Sequence, residues 1–187
     1  MKQELFEWIK SIIFAAVFVF VLQLFVVPTT IYHTSMVPTL QPKDMVIIQK
    51  TKDVSHGDII VFKSDMIFGE SGVKELPFYR RLFVNENTRK KLIKRVIAGP
   101  GDKIVIEGAD VYVNDELLDE PYINDSGYDT VFFEKIPEGY YFVMGDNRRF
   151  SMDSRNPDIG LIEEERIVGK TTYRIFPLSK FGKIDEF

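Results

Sequence analysis

The sequence predicts a mainly β protein, a coiled or closed antiparallel sheet, carried on one N-terminal helix that crosses a membrane. Three observations lead there. Residues 9–27 form an apolar run long enough to span a bilayer. Beyond it come short runs rich in Val, Ile, Tyr and Phe, punctuated by Gly-Asp, Pro-Gly-Asp and Asn-Asp turns. No second run of comparable length follows.

The first element reads IKSIIFAAVFVFVLQLFVV, interrupted only by Lys10, Ser11 and Gln23. As a helix it is about 28 Å long at ~1.5 Å per residue, close to the ~30 Å hydrocarbon core. Lys10 is placed to snorkel and Trp8 to sit at an interface. A cleaved leader would be shorter and end in a small-x-small site, whereas Pro28-Thr29-Thr30-Ile31-Tyr32-His33 follows here. A buried core helix would show a polar face, and almost none is visible. Lys2 lies before the span and Lys10 at its very start, and the next lysine is Lys43, which favours a cytoplasmic N-terminus (1–8) and an extracytoplasmic domain (28–187).

Strands are expected at 45–49, 59–62, 92–98, 103–107, 111–113, 140–144 and 171–176, with a hairpin turn at Asn114-Asp115. Many short strands with frequent turns favour a closed or coiled sheet. Residues 66–91 break the pattern. Phe68, Pro77, Phe78, Tyr79, Leu82 and Phe83 stand beside Arg80, Arg81, Arg89, Lys90 and Lys91, which reads as a surface insertion. The same pairing of aromatic and basic residues suits an anionic membrane surface.

Composition narrows the function. A net charge of -4 argues against nucleic acid as the main partner. The absence of cysteine removes disulfides, thiolate metal sites and a cysteine nucleophile. With only His33 and His56, a histidine metal site is not expected, and no cofactor is implied.

Four segments carry the chemistry: HTSMVPTL (33–40), HGDIIVF (56–62), KRVIAGPGD (94–102) and GDNRRFSMDSR (145–155). Ser35 is eight residues past Val27, so it lies at most about 26 Å from the end of the span, which suits a membrane-inserted substrate. A serine hydroxyl needs a base to act as a nucleophile. His33 would share a strand face with Ser35 but is badly aimed, and His56, before a Gly-Asp turn, reads as a loop cap. Lys94 lies in a strand-like apolar run, and by period-2 alternation either it or Arg95 faces inward, unless the strand is an edge. A buried lysine loses basicity and becomes a usable base. In the fourth segment Ser151 is positioned to orient an amine, and Asp153 and Arg155 to pair and hold the loop.

Together, after one N-terminal span, these segments resemble the bacterial type I signal peptidases. SMVPTL is similar to the family's Ser-Met-x-Pro-Thr nucleophile box, KRVIAGPGD to its lysine box, and GDNRRFSMDSR to Gly-Asp-Asn-Arg-x-x-Ser-x-Asp-Ser-Arg. The resemblance implies Ser35 as nucleophile, Lys94 as general base, Ser151 as the hydroxyl that positions the amine, and Asp153 and Arg155 as support. It implies a β catalytic domain and cleavage of preprotein signal peptides after Ala-x-Ala, with Met36, Leu40 and Ile93 placed near the substrate. GDIIVF resembles the strand beside the substrate cleft. The single span and short chain resemble the Gram-positive form. His33 departs from the family's usual Ser, Thr or Gly, which leaves the second oxyanion donor open. Two rivals differ in kind. A self-cleaving repressor-type protease would be soluble and carry a DNA-binding region. A non-catalytic membrane-tethered β domain, a secretion or pilus-assembly helper, would lack Ser35 or Lys94.

Overall fold

The computed structural model describes residues 1–76, 78–125 and 127–184. Helix α1 (Lys2–Phe25) exposes its described side chains along its whole length, as a helix solvated by lipid does. It ends two residues earlier than expected. Val26 and Val27 leave it to begin strand β1 (Val26–Thr30), paired with β2 (Met45–Gln49) from Val26↔Gln49 to Thr30↔Met45. Two β-branched residues followed by Pro28 oppose helix continuation, which accounts for the switch. The apolar stretch Gln3–Phe25 still spans about 34 Å at 1.5 Å per residue.

The main sheet is antiparallel and runs β1-β2-β11-β3-β4-β9-β10, with β12 (Gly182–Lys183) beside β11. Its members are β3 (Ile59–Ile67), β4 (Arg89–Ala98), β9 (Tyr140–Met144), β10 (Ile162–Glu163) and β11 (Ile167–Phe176). The path is open, ending at β1 and β10, with register shifts in β11 and β4. A second antiparallel sheet runs β7-β6-β5-β8 through β5 (Ile104–Gly108), β6 (Asp110–Val113), β7 (Glu116–Leu117) and β8 (Asp129–Phe133). Asn114 and Asp115 have positive φ (54° and 67°), as expected of the tight turn joining β6 to β7. The mainly β antiparallel class is as the sequence predicted, as is the N-terminal apolar helix, the one helix among the described residues long and apolar enough to cross a membrane.

The core explains why YYFVM reads as a continuous apolar run. Tyr141 and Val143 pack into one cluster with Ile60, Phe62, Val96 and Ile162. Phe142 and Met144, on the opposite face, pack with Ile97, Ile104, Ile106 and Ile136 against the second sheet. β4 shares both clusters, so its C-terminal half is covered on both faces.

Residues 66–91, expected as a surface insertion, contain regular structure. They complete the β3–β4 hairpin, whose strands reach Ile67 and Arg89, and its tip carries α2 (Gly69–Glu75) and α3 (Phe78–Arg81). Pro77 lies outside the described residues, as do the side chains of Tyr79 and Arg80.

Candidate active site

Ser35 stands in the turn that follows β1. Ile31 N–H donates to Asp44 O and Lys43 N–H to Ile31 O, which closes the loop back on itself. Beneath Ser35, Leu40 N–H donates to Met36 O, and both side chains sink fully into a cluster with Ile31, Val46, Ile59 and Ile184. The apolar spacing of Met36 and Leu40 thus anchors the turn. Of the three residues expected near the substrate, only Ile93 keeps exposed surface, because Met36 and Leu40 form the floor below the nucleophile.

β4 delivers the amine. Lys94 is paired with Ile60 of β3 and its Nζ lies 2.8 Å from Ser35 Oγ and 2.9 Å from Ile93 O. Burial is the main cause of its loss of basicity, bringing its pKa down to about 8; Asp153 and Asp146 pull it back up and Arg155 pushes it down. Neither histidine replaces it. His33 is exposed, and His56, in the turn before β3, has its Nε2 2.6 Å from Asp102 Oδ2, away from Ser35.

Strand alternation suggested that one of Lys94 and Arg95 faces inward, but both are buried, because β4 is an interior strand covered on both sides. Arg95 meets Asp146 through two bonds, Nε–Oδ1 at 2.9 Å and Nη2–Oδ2 at 2.8 Å. Its Nη1 donates to Gly57 O, and its guanidinium lies 4.0 Å from the centre of the Tyr122 ring. Thr39 Oγ1 donates to the same Asp146, tying the nucleophile turn to β4.

The segment after β9 embraces the turn from the other side. Asn147 N–H donates to Ser35 O (3.0 Å) and Asn147 Nδ2 to Thr34 O (3.1 Å). Asp153, fully buried, accepts from Gly145 N–H (2.9 Å) and from Arg155 Nε and Nη2 (both 2.8 Å). Arg155 also reaches Asp129 and Arg148 O. Despite its burial, the Asp153 carboxyl is held below the usual carboxylate range, chiefly by Arg155. Arg148 donates to Glu120, which fastens the 118–125 loop to this segment. Ser151 Oγ is buried and helps to hold down Asp153, but it forms no well-directed hydrogen bond and makes none to Lys94, contrary to the role expected of it.

Gly145 is where these parts touch. A Cβ there would overlap Ser151 Oγ and the Ser35 carbonyl oxygen. Gly145→Ala must therefore push the nucleophile turn outward. Since a ~1 Å misplacement can cost about 10²-fold in rate, we expect a kcat lower by about two orders of magnitude, measured as single-turnover cleavage at saturating substrate.

Sequence reasoning singled out the 145–155 cluster, but it did not assign the anchoring roles of Thr39, Arg95, Gly145, Asp146 and Asn147. The residue types were visible; the contacts join segments up to 113 positions apart.

The family described as "Signal peptidase, peptidase S26" matches residues 5–176. Signal peptidase IB of Staphylococcus aureus (strain Mu50 / ATCC 700699) is 36% identical over 204 residues, covering 97% of this chain and 94% of its own length. Signal peptidase I of Bacillus licheniformis is 32% identical over 199 residues, covering 98% and 95%. A crystal structure of a signal peptidase I from Enterococcus faecalis V583 gives a TM-score of 0.45 at 24% identity, covering 63% of this chain and 96% of that one. A hydroxyl and a desolvated amine thus meet within a chain related to these enzymes over almost its whole length, and the protein belongs to the signal peptidase family, peptidase S26, as a membrane serine peptidase that removes signal peptides.

Proposed function

We propose that this signal peptidase works through a Ser35/Lys94 dyad held outside the membrane by α1, with residues 1–8 cytoplasmic, 9–25 spanning and 28–187 catalytic. The observation that carries the reading is the 2.8 Å contact between Ser35 Oγ and a lysine amine whose pKa is brought down to about 8. Neutral Lys94 accepts the Ser35 proton as Oγ attacks the carbonyl of the scissile peptide. The ammonium then returns that proton to the departing amine. Lys94, neutral again, takes a proton from water as the water oxygen attacks the acyl ester. It returns that proton to Oγ as the acyl C–Oγ bond breaks, which releases the carboxylic acid product and regenerates Ser35 and the neutral amine. Ser35 N–H has no acceptor among the described residues, which leaves it available to the oxyanion. Asp153 and Arg155 act as positioning residues that hold Gly145 and the 145–155 segment against the nucleophile turn.

The substrate's extended cleavage region has a place to lie. Pairing of β4 with β9 stops at Arg95↔Met144, so the β9-facing edge of β4 over 89–93 has no strand beside it among the described residues. A peptide adding to that edge would run past Ile93 and Lys94. The register supports proximity to the bilayer. Val26 pairs with Gln49, Gln49 with Lys170, Lys170 with Ile60, and Ile60 with Lys94. Lys94 therefore shares a row with the first residue after the helix, four strand spacings away, or about 19 Å.

The test is cleavage of a preprotein by the full chain in proteoliposomes. Cutting is expected after Ala-x-Ala and lost when the residue before the cut becomes bulky or charged. Because Lys94 must be neutral, kcat/KM should rise tenfold per pH unit below about 8 and level off above it. A flat profile from pH 6 to 9 would remove Lys94 as the base, and cutting indifferent to the residue before the scissile bond would remove the specificity.

A further inference from the structure

The strand directions place the β3–β4 hairpin tip at the end of the sheet from which the anchor leaves. β1 runs away from the helix, so β2 runs toward it, β11 away and β3 toward it again, each step antiparallel. Ile60 already lies on the row of Val26, yet β3 continues seven residues further to Ile67 before the tip begins. Those residues extend about 23 Å beyond that row along the strand. Even with the twist between strands, the tip is directed to the membrane side of the domain.

The tip is built for an interface. Phe78, Leu82 and Phe83 are 80%, 75% and 86% exposed and present their apolar surface to the outside. Residues 66–91 hold six basic residues against three acidic ones (Glu70, Glu75 and Glu86), a net +3. Since the chain as a whole carries -4, the rest of it carries -7. Lys90 Nζ lies 5.7 Å from the Phe68 ring, while Arg81 binds Leu76 O and Lys74 O and so fixes the short helices to each other. Lys74 meets Glu70 at 3.8 Å and Arg89 meets Asp65 at 3.6 Å, both pairs open to solvent and weak. A cationic, aromatic tip on an otherwise acidic domain, aimed at the bilayer, matches anionic headgroups over an acyl boundary.

We propose that this tip is a second membrane contact, in which Phe78, Leu82 and Phe83 enter the interface and the surrounding lysines and arginines bind anionic lipid headgroups, so that the hairpin bearing Lys94 is braced from both ends. The proposal rests on α1 as the span, and the experiment separates the two. The chain has no cysteine, so Phe83→Cys, and Leu117→Cys on the exposed second sheet, each accept one environment-sensitive fluorophore in the full-length protein. In proteoliposomes of phosphatidylcholine with phosphatidylglycerol, the Phe83 probe should shift to the blue and be quenched by nitroxide-labelled lipid at least threefold more than the Leu117 probe. Lys74→Glu with Lys91→Glu, pure phosphatidylcholine, or 0.5 M salt should each remove most of that difference. Protein that floats with the vesicles while both probes stay equally unquenched overturns the tip contact and leaves the anchor intact. Quenching indifferent to lipid charge overturns the headgroup recognition. Failure to float would instead refute the span.

Discussion

Ser35→Ala and Lys94→Met will each lower preprotein cleavage by at least about 10⁴-fold, and the lysine variant will be the more stable protein. The activity loss follows from the dyad acting as one unit. Without Oγ there is no acyl-enzyme, and without the amine the hydroxyl has no group to take its proton, so removing either member forfeits most of what both supply. The stability gain follows from burial. Lys94 is almost completely enclosed, and its pKa is brought from 10.5 to about 8 mainly by desolvation. That shift corresponds to about 3 kcal/mol of folding free energy lost wherever the lysine is charged in both states. Below pH 8 both states are protonated and the whole penalty applies. Between about 8 and 10.5 the unfolded chain binds the proton more tightly than the folded one, so stability rises with pH. Above 10.5 the penalty is gone. Methionine fills the same space without a charge. Urea midpoints should therefore show Lys94→Met ahead of wild type at pH 7 by up to about 3 kcal/mol, with the gap closing through pH 10. A destabilised Lys94→Met would mean that the amine is held by contacts stronger than its desolvation.

The same buried lysine shows how far the sequence could be read. The span, the β class and the strands at 45–49, 59–62, 92–98 and 140–144 were legible because apolar periodicity and turn residues are local signals. Strands β1, β8 and β10 were not. They are short, carry no strong alternation, and exist because a partner strand is already present. Ser35 and Lys94 were legible as a pair only through the resemblance. Their proximity depends on β3 and β4 being neighbours and on a turn after β1, 59 residues apart in the chain. The opposite faces of Lys94 and Arg95 were correctly read from alternation, but not that both side chains are buried, which depends on distant segments, the turn that carries Ser35 and the loops that carry Gly57, Tyr122 and Asp146, closing over β4. The expected Ser151–Lys94 contact failed for a related reason. Spacing within a loop fixes which residues are close in sequence, not where a short side chain points once Asp153 and Gly145 have closed on it.

Arg95→Met and Asp146→Leu should each destabilise the protein by about 3–5 kcal/mol, and the double variant should be more stable than either single one. Arg95 and Asp146 are 1% and 0% exposed at the side chain, and they meet through two parallel bonds. Removing Arg95 leaves a carboxylate in the interior with Thr39 as its remaining side-chain donor. Removing Asp146 leaves a guanidinium whose remaining contacts among the described residues are Gly57 O and the Tyr122 ring. An unpaired buried charge is worth that much destabilisation, whereas replacing both members by apolar groups is close to neutral. Against a total stability of about 5–15 kcal/mol, each single variant forfeits a large fraction. Chemical denaturation of wild type, both singles and the double gives the coupling directly. Activity separates anchoring from mere folding. Asp146 ties Thr39 to β4 and raises the pKa of Lys94, so Asp146→Asn, which keeps the shape, should move the alkaline-rising limb of kcat/KM to lower pH. The double variant should recover stability without recovering full activity, because the turn that carries Ser35 has lost its tether to the strand that carries Lys94. If it recovered both, the ion pair would serve the fold alone, and the placement of the dyad would rest on Asn147 and Gly145.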